Sequence, residues 1–291
     1  MPLISIIIPA YREEKVIAGV VKDVNRVMET TGQPHEIIVV DDGSDDKTAS
    51  VAREAGALVI SHPYNIGNGA AVKTGIRNAK GEIIVMLDGD GQHSPEDIPR
   101  LLEKIPAYDM AVGARTSESN ASFHRTLANR IYNSFASYMC RHRIEDLTSG
   151  FRTIKANIAR QFIPLLPNTF SYPTTITMAV IRSGYSITYT PIKAKNRVGK
   201  SKIKLLQDGT RFFFIIVKIA TLFSPFRVFL PVSLAMFLTG IGYGLFRIFV
   251  LGGSYGPTSA MLITMSVVVF MVGLVSEQIA QLHYNRSRDG A

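Results

Sequence analysis

Glu82-Ile83-Ile84-Val85-Met86-Leu87-Asp88-Gly89-Asp90-Gly91-Gln92 is the stretch on which the fold turns. Six residues, all but the first apolar, closed at once by acid and glycine, read as a buried strand of a parallel sheet. Two carboxylates one residue apart at a strand's carboxyl end can face the same crevice, with the amide oxygen of Gln92 two residues on. Hard oxygen ligands of this kind suit Mg²⁺ or Mn²⁺, which keep part of their coordination for substrate phosphates. Gly89 and Gly91 let backbone and ligand approach closely. The plain alternative is a polar turn capping a strand, and the flanking sequence decides between the two.

Upstream, Leu3–Ile8 is a short apolar run closed by Pro9, and Glu13 to Thr30 carries helical spacing through Val16, Ile17, Val20, Val21, Val24 and Val27. Glu36–Val40 is a second strand ending in Asp41-Asp42-Gly43-Ser44. Residues 46–55 are helical, Ala57–Ser61 is a third strand, and Asn65-Ile66-Gly67-Asn68-Gly69 opens a helix running to Ala79. Gly75 within it suggests close packing on the sheet. Downstream, Pro95 starts a helix and Asp109–Gly113 is a fifth strand. This rhythm predicts a parallel doubly wound α/β sheet, whose ligands bind beyond the carboxyl ends of the strands. Pro9-Ala10-Tyr11, Asp41-Asp42 and Asp88–Gln92 all lie at such ends. That convergence favours a site over a turn. Past Arg115 the expected elements are a helix over Phe123–Cys140, a run at Phe151–Ile154, a helix over Tyr172–Arg182 and a strand at Ile187–Tyr189.

The 291 residues carry a net charge of +9, but residues 1–192 hold twenty basic and twenty acidic side chains. Residues 193–227 hold nine Lys/Arg against the single acid Asp208. A polybasic segment directly before the most apolar part of the chain is the footprint of an anionic leaflet, not of nucleic acid. Val228–Phe246 and Thr258–Ser276 each run nineteen residues without a charge, and each spans about 28 Å as a helix, close to a hydrocarbon core. They form a hairpin through Gly252-Gly253-Ser254-Tyr255-Gly256-Pro257. Basic residues before the first span and after the second (Arg286, Arg288) put both chain ends in the cytoplasm by the positive-inside rule. Leu205–Phe223 reads as an interfacial helix on that leaflet. Met1-Pro2-Leu3-Ile4 has no charged n-region, so no signal peptide is expected. The one cysteine, Cys140, excludes an internal disulfide.

Seven segments carry a family likeness: Pro9-Ala10-Tyr11-Arg12-Glu13-Glu14, Val40-Asp41-Asp42-Gly43-Ser44, Asn65–Gly69, Asp88–Glu96, Gly113-Ala114-Arg115, Asp146–Arg152 and Arg197–Lys202. In this order the chain resembles the family-2 glycosyltransferases of the GT-A fold, and among them the polyprenyl-phosphate sugar synthases related to dolichol-phosphate mannose synthase. The resemblance implies that Pro9, Tyr11, Glu13, Val40 and Asp42 hold the nucleoside of a sugar donor. It implies a metal and diphosphate site at Asp88, Asp90 and Gln92, with Gly89 against the donor. Arg115, Arg125 and Arg197 match basic positions around the transferred group and acceptor phosphate, joined by Lys200 and Lys202. Glycine stands at 89 where alanine is usual and at 91 where leucine is common, and the basic motif is one residue shorter before Gly199 than in many relatives.

The expected organisation is a GT-A catalytic domain over 1–200, a basic juxtamembrane segment over 201–226, a transmembrane hairpin over 227–283 and a cytoplasmic tail over 284–291. The expected location is the cell or endoplasmic reticulum membrane, multi-pass, with the catalytic domain cytoplasmic. The expected reaction is inverting transfer of a hexose from GDP-mannose, UDP-glucose or UDP-N-acetylglucosamine to dolichyl or undecaprenyl phosphate, with Mg²⁺ or Mn²⁺. A lipid phosphate has a second pKa of about 6 and is already largely ionised near neutrality, so it needs cationic donors and no general base. The catalytic residues that the resemblance implies are Asp90, through the metal, and the basic Arg115, Arg125 and Arg197. The partners are nucleotide sugar, polyprenyl phosphate and bilayer, without nucleic acid; self-association as a homo-oligomer is left open. Two rivals stand beside this reading: a non-catalytic membrane scaffold that binds nucleotide sugar, and a tethered transferase with a soluble acceptor. A processive polysaccharide synthase would need a Trp-containing acceptor motif, and the chain has no Trp.

Overall fold

Ile4–Ala10 is buried at every position, so both faces of this strand are covered and it forms the centre of the sheet. The computed structural model describes residues 1–116, 123–168, 171–193, 214, 217, 218, 220, 221 and 224–289, without the side chains of 123–128 and 281–289. It divides into two units, Met1–Ile215 and Ile216–Ala291.

The first unit runs β1 (Ile4–Ala10), α1 (Ile17–Thr31), β2 (His35–Asp41), α2 (Thr48–Glu54), β3 (Leu58–Ser61), α3 (Asn68–Asn78) and β4 (Ile83–Met86). A 3-10 turn at Pro95–Asp97 then leads into α4 (Ile98–Leu102), β5 (Met110–Arg115), α5 (Phe123–Cys140), β6 (Arg152–Lys155), α6 (Ala156–Phe162), α7 (Tyr172–Arg182) and β7 (Ile187–Ile192). The sheet order is β3-β2-β1-β4-β6-β5-β7. α1 buries the stripe Ile17, Val20, Val21, Val24, Val27 and Met28, as helical spacing requires. α1 starts at Ile17, later than expected, because the preceding residues bind another loop. The Glu13 N–H donates to Thr48 Oγ1 at 2.9 Å, and the Lys47 N–H donates to Glu14 Oε2 at 3.1 Å. On α3, a side-chain carbon at Gly75 would run into Ile7 of β1. This position holds the helix tight on the sheet.

The α/β architecture is as expected, but the sheet is mixed. β6 is antiparallel to both β4 and β5, while the other pairings are parallel. The reason lies in the segment before it. Asp146 is bound to Arg115 at the carboxyl end of β5, so the chain is already at that edge when β6 begins. With no crossover to the opposite edge, the strand runs back antiparallel.

The second unit is a hairpin of α8 (Phe226–Phe249) and α9 (Pro257–Asp289). Phe226–Phe249 and Pro257–Ala280 are long and apolar enough to cross a membrane, each longer than its uncharged core in sequence. Gly240 lies against Leu262 and Ile263, the small-residue contact on which apolar helices pack. The rings of Phe226 and Phe270 meet edge-on at 5.9 Å, and the Phe226 N–H donates to Glu277 Oε2 at 3.2 Å. Of the interfacial helix expected over Leu205–Phe223, the described residues are Phe214, Val217, Lys218, Ala220 and Thr221, all helical.

Candidate active site

Backbone hydrogen bonds join the three expected segments at the carboxyl ends of the central strands. Ala10 of β1 pairs with Asp41 of β2, and the Asp42 N–H donates to Ala10 O at 2.9 Å. On the other side of β1, Leu87 N–H donates to Ile7 O at 3.1 Å and Gly89 N–H to Pro9 O at 3.3 Å. The acidic turn after β4 is thereby anchored to the loop after β1.

The expected nucleoside residues fall into two groups. Pro9 and Val40 are buried within their strands, so they shape the crevice floor through backbone and packing. Tyr11 and Glu13 are half-buried at the rim, where the Arg12 N–H donates to Ser44 Oγ at 2.9 Å. Asp42 is buried and its carboxylate is largely engaged. Oδ1 takes His62 Nδ1 at 2.7 Å and the Ile66 N–H at 3.0 Å, and Oδ2 takes the Gly67 N–H at 2.7 Å. His62 is held in turn by Thr74 Oγ1 at 2.9 Å. Asp42 thus fixes the Asn65–Gly69 loop, a role its motif position did not announce.

Asp88 stands on a floor made by the start of β6. A side-chain carbon at Gly150 would strike the Asp88 carboxylate. His93 Nε2 lies 3.4 Å from Asp88 Oδ2, and the His93 ring packs on Phe151 at 5.3 Å. Burial resists charge on Asp88, yet the hydrogen bond and charge of His93, with Arg115 and Arg152 behind it, hold the carboxyl below its ordinary value. Asp90 Oδ1 accepts the Gln92 N–H at 3.1 Å, closing the turn. No three His, Cys, Asp or Glu side chains cluster among the described residues. Two carboxylates and one amide are an oxygen-only donor set with room for phosphate and water, which fits Mg²⁺ or Mn²⁺.

Two arginines flank this floor. Arg115 makes a two-pronged contact with Asp146, Nε to Oδ2 and Nη2 to Oδ1, both at 2.8 Å. Its Nη2 also donates to Thr148 Oγ1 at 2.6 Å. Burial opposes the charge of Asp146, but Arg115 outweighs it and lowers the carboxyl's pKa. Asp146 also accepts the N–H groups of Thr148 and Ser149, each at 3.1 Å, so it caps the turn and binds the arginine at once. Arg152 is fully buried. Its Nη1 donates to Pro173 O at 3.1 Å and Thr177 Oγ1 at 3.0 Å, and its Nη2 donates to Ser149 O. The sequence assigns no role to His93, Gly150 or Arg152, although all three stand in quoted motifs. The side chain of Arg125, and Arg197, Lys200 and Lys202 entirely, lie outside the described residues.

The model for glycosyl transferase family 2 matches residues 5–163, and that for the GtrB C-terminal hairpin matches residues 224–282. An uncharacterized protein of Methanocaldococcus jannaschii is 33% identical over 65% of this chain and 80% of its own length. The undecaprenyl-phosphate 4-deoxy-4-formamido-L-arabinose transferase of Pectobacterium carotovorum is 27% identical over 96% of this chain and 89% of its own. Among solved structures, glucosyl-3-phosphoglycerate synthase from Mycobacterium tuberculosis, in complex with Mn²⁺, uridine diphosphate and phosphoglyceric acid, superposes with a TM-score of 0.63. It covers 75% of this chain and 78% of that one at 16% identity, a likeness of fold.

Proposed function

Since the chain belongs to glycosyl transferase family 2, we propose that it transfers a sugar from a uridine diphosphate sugar to a polyprenyl phosphate at the cytoplasmic membrane face. The observation that carries this reading is the joining of a two-carboxylate, arginine-flanked crevice to an apolar helical hairpin in one chain. The relatives named as undecaprenyl-phosphate transferases, matching over nearly the whole chain, support the acceptor class. The Mn²⁺ and uridine diphosphate of the structural neighbour are in keeping with a divalent ion and a diphosphate donor.

Hydrogen-bond capacity supports uracil as the donor base. A carboxylate offers about four lone-pair sites, and three of those on Asp42 are filled by His62, Ile66 and Gly67. The open one, on Oδ2, suits the single imide N–H of uracil. Guanine presents two adjacent donors and wants both oxygens.

Asp88, Asp90 and Gln92 would hold Mg²⁺ or Mn²⁺, which would supply positive charge where the leaving diphosphate becomes more negative. The acceptor phosphate oxygen forms a bond to the anomeric carbon as the bond to the diphosphate oxygen breaks. The bonding pair leaves with the diphosphate, and attack opposite to it inverts the centre. Arg115, with Arg125, Arg197, Lys200 and Lys202, orients the acceptor phosphate. The chain divides into a catalytic domain over 1–200, a basic segment over 201–226, a two-span hairpin over 227–283 and a tail over 284–291, with both termini cytoplasmic.

Incubating purified protein with labelled UDP- or GDP-sugars, polyprenyl phosphate and Mn²⁺, then extracting into organic solvent, tests the reading. Metal-dependent labelling of lipid from a UDP-sugar, lost in Asp90→Ala, is expected. Labelling from GDP-mannose alone overturns the base assignment, and no labelling from any donor overturns the activity.

A further inference from the structure

Arg152 is a guanidinium held entirely inside the protein. Its partners are two carbonyls and a hydroxyl, and its Nε has no hydrogen-bond partner among the described residues. No carboxylate lies within ion-pair distance of it among the described residues, whereas Arg115 has Asp146. A buried charge without a salt bridge is costly and rarely retained without use. Its location suggests the use. Arg152 pairs with Met86 on the last rung of the antiparallel ladder of β4 and β6, two residues before Asp88, and its charge is among those that hold the Asp88 carboxyl low. Between them lies the Ser149-Gly150 turn, whose Ser149 carbonyl accepts from Arg152 and whose Gly150 touches Asp88.

Resting on the diphosphate–metal reading of this site, we propose that Arg152 is a positioning residue acting through charge: a counterweight beneath Asp88 that tempers cation binding and favours the donor's diphosphate. The side chain touches neither ligand, since it lies under the floor. Asp88, Asp90 and Asp146 carry three negative charges, and Arg115 and Arg152 carry two positive ones. Without Arg152 the site has a surplus of two. It then attracts a divalent cation more strongly and repels a diphosphate more strongly. Simple loss of structure would instead weaken both ligands together.

The test compares Arg152→Met, which keeps most of the volume and removes the charge, with Arg152→Lys, which keeps the charge. Mn²⁺ binding is read by electron paramagnetic resonance of free Mn²⁺, and uridine diphosphate binding without metal by calorimetry, on the full-length protein in detergent. The expected result for Arg152→Met is opposite shifts, Mn²⁺ binding about tenfold tighter and uridine diphosphate about tenfold weaker, the scale of one unit charge acting across roughly 12 Å at an effective dielectric near 20. Arg152→Lys is expected within about threefold of wild type for both ligands. Parallel weakening of both ligands, or no change in either, overturns the proposal. If Arg152→Met does not fold, Arg152→Gln, which removes the charge and keeps hydrogen-bonding groups for the Pro173, Thr177 and Ser149 oxygens, replaces it: the same opposite shifts are expected, and parallel weakening or no change again overturns the proposal. Wild-type protein that binds neither probe overturns the reading of the site itself.

Discussion

Gly150 is the residue at which sequence and chemistry meet most closely. Any side chain there occupies the space of the Asp88 carboxylate. Gly150→Ala is therefore expected to lower kcat by about 100-fold, the effect of misplacing a reacting group by roughly 1 Å. The melting temperature should stay within a few degrees, so activity and thermal unfolding measured on one preparation check it. The Arg115–Asp146 pair makes a second prediction. Asp146→Asn weakens a charge-assisted fork and should destabilise the catalytic unit by about 2 kcal/mol. Asp146 titrates below its ordinary value of 3.8 in the folded protein, so its contribution is complete above that value and is lost as pH falls through the lower one. The difference in denaturant midpoint between wild type and Asp146→Asn should be flat at neutral pH and narrow only below about pH 4. The acids at 88 and 90 were legible because they end an apolar run. Arg152 was not, because nothing in a one-dimensional pattern distinguishes a buried guanidinium from a solvated one.

Among the elements, α3 carries the clearest packing constraint. Gly75→Val places two methyl groups against Ile7 in a strand with no space to yield, and should destabilise the protein by about 1–3 kcal/mol, read as a lower denaturant midpoint with an unchanged slope. The helices expected over Phe123–Cys140 and Tyr172–Arg182 are present with those bounds. β6 shows where such reading stops. Its four residues were visible as a run, but hydrophobic periodicity has no arrow, and neither its antiparallel direction nor its slot between β4 and β5 is written in Arg152-Thr153-Ile154-Lys155. Those depend on the Arg115–Asp146 contact, which joins residues 31 apart in sequence.

At the scale of the whole molecule, the proposed orientation puts the turn between α8 and α9 on the far side of the membrane. Cys140 is the only cysteine and is buried, so Ser254→Cys creates one reactive thiol in the exposed turn. A membrane-impermeant maleimide should label it in intact cells. Labelling that requires permeabilised cells would reverse the orientation. The hairpin was legible because nineteen uncharged residues are a strong signal, whereas the Phe226–Glu277 contact that ties its two ends required coordinates.

The placement of β6 also sets an order of events. β1 to β4 pair within residues 4–86, but β4 must wait for Arg152–Lys155 to acquire its second neighbour. As a chain leaves the ribosome, the half proposed to hold the nucleoside can assemble while the acidic turn still lacks its floor. Pulse-labelling hydrogen exchange should find β1 and β2 amides protected before those of β6, with competence to bind Mn²⁺ appearing only in the later phase. On the proposed reading, the acidic turn then gains its floor only once Arg152–Lys155 has been made, and a nascent chain shorter than that cannot hold the cation.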